Sequence, residues 1–168
     1  MLTKRDLLIK WSAYAALVLA LLFVHSFTLH RLTVWGVVPF LPPLIAGTLG
    51  SLEDSRSAAI FGLIFGVCCD LTIRAPLPCL YTLAFTAAAL LASVLAENVL
   101  QPGFLCSLIA SLAAFIIVDM LNVLALLIGG RAGIVPMLSL AGREMAVSCI
   151  ALPVCHPALS LVHRRFSL

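Results

Sequence analysis

One carboxylate of this chain lies at the end of a short apolar run. Asp70 is the last but one residue of the run at 61–71, and Arg74 and Pro76 follow it. Because Asp70 and Arg74 are four residues apart, they share one face of a helix and can form an ion pair. Two interpretations remain open: an interfacial pair that sets the depth of the helix, or a partner-binding site.

A second carboxylate, Asp119, lies deeper in apolar sequence. It stands between Val118 and Met120, and Asn122 follows three residues later on the same side of a helix. A charged group at this depth is costly unless it is paired or hydrated. We therefore expect Asp119 to face the interior of a helix bundle or a partner.

Several kinds of catalytic site are not supported by the sequence. It contains no G-x-S-x-G and no H-E-x-x-H motif, and its six cysteines form no C-x-x-C pair. The carboxylates are scattered along the chain, whereas phosphoryl or glycosyl transfer would need them clustered. We expect no enzyme activity, no metal and no cofactor.

The composition indicates an integral membrane protein. Hydrophobic residues make up 63% of the 168 residues and charged residues 10%, against about 45–50% and 25% in soluble domains. The formal net charge of +3 then concerns membrane topology, and no basic patch with interleaved aromatics indicates nucleic-acid binding. We expect residues 1–168 to form one integral membrane helical domain.

The apolar segments predict about six transmembrane helices, the first of them uncleaved. Segment two contains Pro39, Pro42 and Pro43, so we expect it to be broken or partly re-entrant. The serine of the polar loop at 53–56 is a candidate cap for the next helix, and 132–142 is expected to be a loop or interfacial stretch. The six segments are predicted at 7–29, 32–52, 57–73, 77–96, 103–128 and 144–162.

The basic residues suggest an orientation. Both ends of the sequence are basic, which places both termini in the cytoplasm by the positive-inside rule. An even number of spans is then required, and six satisfies it.

Small residues repeat at helical spacing. Gly62, Gly66 and Asp70 follow one another every four residues, and glycines on one face let a second helix approach closely. Alanines recur every fourth residue over 84–96, and small residues pair similarly over 107–114. Such stripes indicate packing within the bundle or a seam for another membrane protein.

The region around Asp70 resembles the MreD family, the small membrane subunit of the bacterial rod-shape and cell-elongation machinery. The shared pattern is Gly-x-x-x-Gly-x-x-x-Asp-Leu at 62–71, then Pro76-Leu77-Pro78 and an apolar helix. Pro78 stands where the family usually has glycine. The pattern covers about a sixth of the chain.

The resemblance implies an all-α membrane bundle, similar to the substrate-binding subunits of energy-coupling-factor vitamin transporters. It also implies a non-enzymatic scaffold in the bacterial cytoplasmic membrane that supports lateral peptidoglycan synthesis and cell shape. The implied partners are membrane lipid, an MreC-like protein and, through it, an MreB-like filament and the RodA–penicillin-binding-protein synthase.

The alternative is a substrate-binding membrane subunit of an energy-coupling-factor type vitamin transporter. Such a subunit should contain a polar, aromatic-lined pocket near the outer face, but the chain has only two Trp and two Tyr residues, which favours the scaffold. The candidate partner-binding or helix-packing residues are Gly62, Gly66, Asp70, Arg74, Pro76, Asp119 and Asn122.

Overall fold

The structure, a computed structural model, describes residues 4–28, 31, 33–73, 77–101, 103–129 and 134–166. These residues form an all-helical arrangement. In chain order the helices are α1 (Lys4–Phe27), α2 (Pro42–Leu52), α3 (Ser55–Thr72), α4 (Leu80–Asn98), α5 (Phe104–Ile128), α6 (Ile134–Cys149) and α7 (Leu152–Phe166).

Four helices of the described chain, α1, α3, α4 and α5, are long and apolar enough to cross a membrane. The α6–α7 pair passes the same test together, although it is bent by 56°, so the count reaches five if that pair is one span. The chain is therefore an all-α, multi-pass membrane bundle. The other predicted span, segment two, contains only the short α2.

Helix α2 lies at the centre of the bundle and contacts α3, α4, α5 and α7. Its 11 residues extend about 16 Å, roughly half of a hydrocarbon core of about 30 Å. All of its residues up to Ser51 are buried. Pro42 and Pro43 start the helix, where a missing N–H has no intrahelical partner to lose. The prolines thus restrict the helical part of segment two to its second half.

A tight turn precedes α2. Val34 and Val37 exchange two backbone hydrogen bonds of 2.9 and 3.0 Å. Trp35 and Gly36 between them have φ values of 54° and 77°, the left-handed geometry of a two-residue hairpin turn. The turn exposes the Trp35 side chain, which suits the membrane–water interface.

The small-residue stripes face the interior of the chain itself. Ala84, Ala88 and Ala92 of α4 are buried, and so are the small residues over 107–114 of α5 that pair at i+4 spacing. Helix α4 contacts α2, α3 and α5. Of the two interpretations, packing within the bundle therefore accounts for these faces.

Of the two expectations for 132–142, a loop or an interfacial stretch, the loop was wrong for the described part, because α6 begins at Ile134. Pro136 falls in the first turn of α6, where a proline is tolerated. Pro153, in contrast, would break a continuous helix, since it lacks an N–H and its ring clashes with the carbonyl of residue 149. The break between α6 and α7 at 150–151 follows, and it divides predicted segment six.

The cap of α3 also differs from the expectation. The N-cap is Asp54, whose side chain accepts a hydrogen bond from the Ser57 N–H at 3.3 Å. Ser55 is the first residue of the helix and bonds elsewhere. Aspartate fits this position at least as well as serine, because its carboxylate also interacts favourably with the helix dipole.

Candidate partner-binding and helix-packing site

The two glycines of the motif lie on the face of α3 that contacts α4. A Cβ at Gly62 would be only 2.6 Å from the Phe85 carbonyl oxygen, and one at Gly66 would overlap the backbone of Thr82. Real Cβ atoms almost never come so close to other heavy atoms. Helices α3 and α4 therefore approach each other at a distance that only glycine permits at these positions.

Asp70 joins the same two helices by hydrogen bonds. The Tyr81 N–H donates to Oδ1 at 3.0 Å, and the Thr82 N–H donates to Oδ2 at 2.9 Å. The Thr82 hydroxyl adds a third bond to Oδ2 at 2.6 Å. These N–H groups belong to the first turn of α4 and have no partner within that helix. Asp70 thus caps α4 from α3, a role that the N-cap residue Cys79 does not perform with its own side chain.

The predicted Asp70–Arg74 pair falls partly outside the described residues. Arg74 and Pro76 are not among them, so the ion pair and the proline turn remain predictions. Within the described residues, the three hydrogen bonds of Asp70 all go to the start of α4.

Helix α2 has its own pair of glycines, which the sequence analysis did not single out. A Cβ at Gly47 would be 2.7 Å from the backbone of Ser111 in α5, and one at Gly50 would be 2.7 Å from the Ala89 carbonyl oxygen in α4. The spacing of three residues places the two glycines against different neighbours. The run Gly-Thr-Leu-Gly at 47–50 was the sequence feature that could have indicated these close helix contacts.

Asp119 lies on α5 beside a groove between α5 and α6. The groove has a volume of about 530 Å³, and its lining includes Met120, Leu124 and Met145. The Asp119 side chain is half-buried, and among the described residues it has no hydrogen-bond or ion-pair partner. Asn122 is also half-buried but does not line the groove, so the structure does not bring the two side chains into one site.

The most extensive polar cluster of the described residues surrounds Glu53, which was predicted only as part of the polar loop at 53–56. Its side chain is 4% exposed. Lys10 Nζ donates to Oε2 at 2.6 Å and the Tyr14 hydroxyl donates to Oε1 at 2.9 Å. His163 Nδ1 lies 3.1 Å from Oε1. This Glu53 cluster ties α1, the α2–α3 junction and α7 together.

The bonding around Glu53 sets its charge state. Burial raises the pKa of Glu53, but the hydrogen bonds from His163, Lys10 and Tyr14, together with the Lys10 charge, lower it more. The net direction is a lowered pKa, so the carboxylate is charged at neutral pH. Helical spacing places Lys10 and Tyr14 on one face of α1, but no sequence pattern connects them to a residue 39 or more positions away.

Further serine and glutamate side chains extend the hydrogen-bond network around Glu53. The Ser93 hydroxyl donates to the Glu53 carbonyl oxygen at 3.0 Å. The Ser55 N–H and hydroxyl both donate to Glu97 Oε1, at 3.1 and 3.0 Å. The α2–α3 junction is therefore fixed to the end of α4 as well as to α1 and α7.

The Glu53 cluster also locates the two ends of the chain. Lys10 lies near the start of α1 and His163 near the end of α7, and both contact the same carboxylate. The described ends of the chain are therefore on the same end of the bundle. Among the residues that the structure describes, no group of three or more His, Cys, Asp or Glu side chains is placed to hold a metal ion.

The chain matches no protein-family model, and no similar curated protein or solved structure was found.

Proposed function

We propose that this chain is a non-enzymatic membrane scaffold of the bacterial cell-elongation complex, with the role that the resemblance to MreD implies. The observation that carries the proposal is the bonding of the motif that defines the resemblance. Gly62, Gly66 and Asp70 together hold α3 and α4 as one closely packed hairpin. A carboxylate whose two oxygens already accept three hydrogen bonds is suited to positioning a helix, and such a rigid hairpin suits a scaffold.

The proposal includes a location and a topology. We place the chain in the bacterial cytoplasmic membrane with both termini in the cytoplasm. Support comes from the Glu53 cluster, which brings both ends of the chain to one end of the bundle. The exposed side chains of Arg5, Arg56, Arg164 and Arg165 belong to α1, α3 and α7 near that same end. This end therefore carries the positive charge that cytoplasmic loops carry.

The proposed partners are those that the resemblance implies: an MreC-like protein and, through it, an MreB-like filament and the RodA–penicillin-binding-protein synthase. Depletion of the chain in its native bacterium should round the cells and reduce incorporation of new peptidoglycan along the lateral wall. Wild-type protein and Leu63→Ile should restore both, because Leu63 is exposed on α3. Gly66→Leu should restore neither at matched expression. Normal shape and lateral wall synthesis after depletion would contradict the proposal.

A second candidate, the substrate-binding subunit of a vitamin transporter, is favoured by one cavity. It has a volume of about 420 Å³, and its lining includes His25, Ser26, Phe40 and Glu144. Aromatic and polar groups in a cavity of this size are typical of small-molecule sites. Purified protein would be tested for bound and added vitamins by mass spectrometry and calorimetry. Binding abolished by Glu144→Leu, with cell shape unchanged on depletion, would favour this candidate over the scaffold.

A further inference from the structure

The groove between α5 and α6 is open and almost entirely apolar. On α5 it is lined by Ile116, Met120 and Leu124, which follow one another every four residues and are all exposed. On α6 it is lined by Gly142 and by the half-buried Met145. The volume of about 530 Å³ lies along the sides of two helices, the shape into which another helix packs.

One charged group, Asp119, stands in this apolar lining. It is the sixteenth of the 25 residues of α5, far from either end of the helix. No Lys, Arg or His of the described residues forms an ion pair with it, and Arg143, next to Gly142 on α6, is exposed. Among the residues that the structure describes, no cation compensates the carboxylate of Asp119.

The α6 side of the groove leaves room for a close approach. A Cβ at Gly142 would meet nothing within 4 Å, in contrast to the glycines of α2 and α3. Ala141 beside it also lines the groove and is small. Small residues at a helix surface permit tight backbone contact in membranes. Lipid acyl chains can fill an apolar groove, but they carry no hydrogen-bond donor for a carboxylate at this depth.

The geometry points to this groove as the docking site for one transmembrane helix of a partner protein, a helix that carries a basic side chain at the level of Asp119. The inference rests on the proposed function, since it gives the membrane scaffold a specific surface for a partner. The positive charge of the partner helix is the complement of Asp119, and the fit of that helix depends on the open space at Gly142.

The test uses the full chain in phosphatidylcholine vesicles with two synthetic transmembrane peptides. Each peptide is a Leu–Ala helix of about 20 residues, with Lys at its centre in one and Leu in the other. Energy transfer between donor-labelled protein and acceptor-labelled peptide measures association. The Lys peptide should associate roughly three- to twentyfold more strongly than the Leu peptide, the range expected for one polar contact between helices in a membrane.

Variants of the chain separate charge from shape. Asp119→Leu should remove the preference for the Lys peptide, and Asp119→Asn should retain part of it because the amide still accepts a hydrogen bond. Gly142→Leu should weaken association of both peptides by filling the groove. Leu83→Phe, which adds bulk at an exposed position of α4, should change neither. Each variant is first shown to unfold at the wild-type midpoint.

Three outcomes would overturn the inference. They are equal association of the two peptides with the wild type, association unaffected by Gly142→Leu, and occupation of the groove by a second copy of the chain, seen as energy transfer between proteins that Gly142→Leu abolishes. The vesicle assay involves no cell-wall synthesis, so its failure can be distinguished from failure of the proposed function, which is measured by cell shape.

Discussion

Replacing Gly66 by alanine tests the close contact between α3 and α4. The new Cβ would be 2.7 Å from the Tyr81 carbonyl oxygen and nearer still to Thr82 Cα, whereas ordinary contact begins at 3.4 Å. These are backbone atoms of α4, which cannot rotate out of the way, so the helices must separate. Asp70, one turn further along α3, would then be drawn away from the N–H groups that it caps.

The expected size of the effect combines three contributions. Overpacking of a tight contact costs about 1–3 kcal/mol, and loss of hydrogen bonds to a charged group costs about 1.5–3 kcal/mol. Alanine's higher helix propensity offsets about 1 kcal/mol. We therefore expect Gly66→Ala to lower the free energy of unfolding by about 1.5–5 kcal/mol.

The assay is reversible unfolding in mixed micelles with increasing SDS, followed by far-UV circular dichroism. Gly142→Ala is the matched control, because it makes the same chemical change in a helix where the added Cβ meets nothing within 4 Å. It should leave the protein as stable as the wild type or more stable by about 1 kcal/mol. If Gly66→Ala also unfolds at or above the wild-type midpoint, the argument for a glycine-dependent contact is wrong.

Four further predictions concern the ends of the bundle. Asp70→Ala should destabilise the protein by about 2–3 kcal/mol, and Asp70→Asn by about half as much, because the side-chain carbonyl oxygen of Asn can still accept a hydrogen bond from the start of α4. The same unfolding assay measures both variants, and an equal loss of stability in the two would exclude capping. Lys10→Met should cost about 3 kcal/mol by leaving buried Glu53 without its closest cation, with Lys10→Arg as the conservative control. The pKa of Glu53 is lowered in the folded protein, so its charged carboxylate stabilises the fold above the ordinary pKa of 4.5, and this stabilisation is lost as the pH falls through the lowered pKa. A pH titration of the unfolding midpoint should show this loss, and Glu53→Gln should abolish this pH dependence. Reporter fusions at the two chain ends should both give a cytoplasmic signal, and opposite signals at the two ends would refute the shared location.

The long apolar spans were predictable because hydropathy alone determines them. Segments three, four and five correspond to α3, α4 and α5 within a few residues at each end. Hydropathy did not predict the helix boundaries where a helix is short or where a span is bent. Helix α2 needs no membrane-spanning length because other helices surround it, and the break between α6 and α7 depends on the position of Pro153 rather than on polarity.

Only part of the site could be predicted from the sequence, for a related reason. The glycine spacing on α3 is local, so Gly62 and Gly66 could be assigned to one helix face without knowledge of the fold. The contacts of Glu53 are not local, since they join residues 39 to 110 positions apart. A single sequence contains no signal for such pairings. From sequence alone, an acidic residue in a polar loop is expected to be exposed to solvent, whereas the fold buries Glu53.

The acidic side chains of the described chain differ in how their desolvation is compensated. Asp70 and Glu53 each accept three hydrogen bonds, and Glu97 accepts from Ser55. Glu144 has no such bond, but it lines a cavity that also contains polar side chains. Asp119 alone among these five stands in an apolar groove without a donor. Inserting a carboxylate into a membrane costs about 2.5–3.5 kcal/mol, and no described residue offsets that cost at Asp119, which is why Asp119 is the position where a partner's basic residue should have its largest effect.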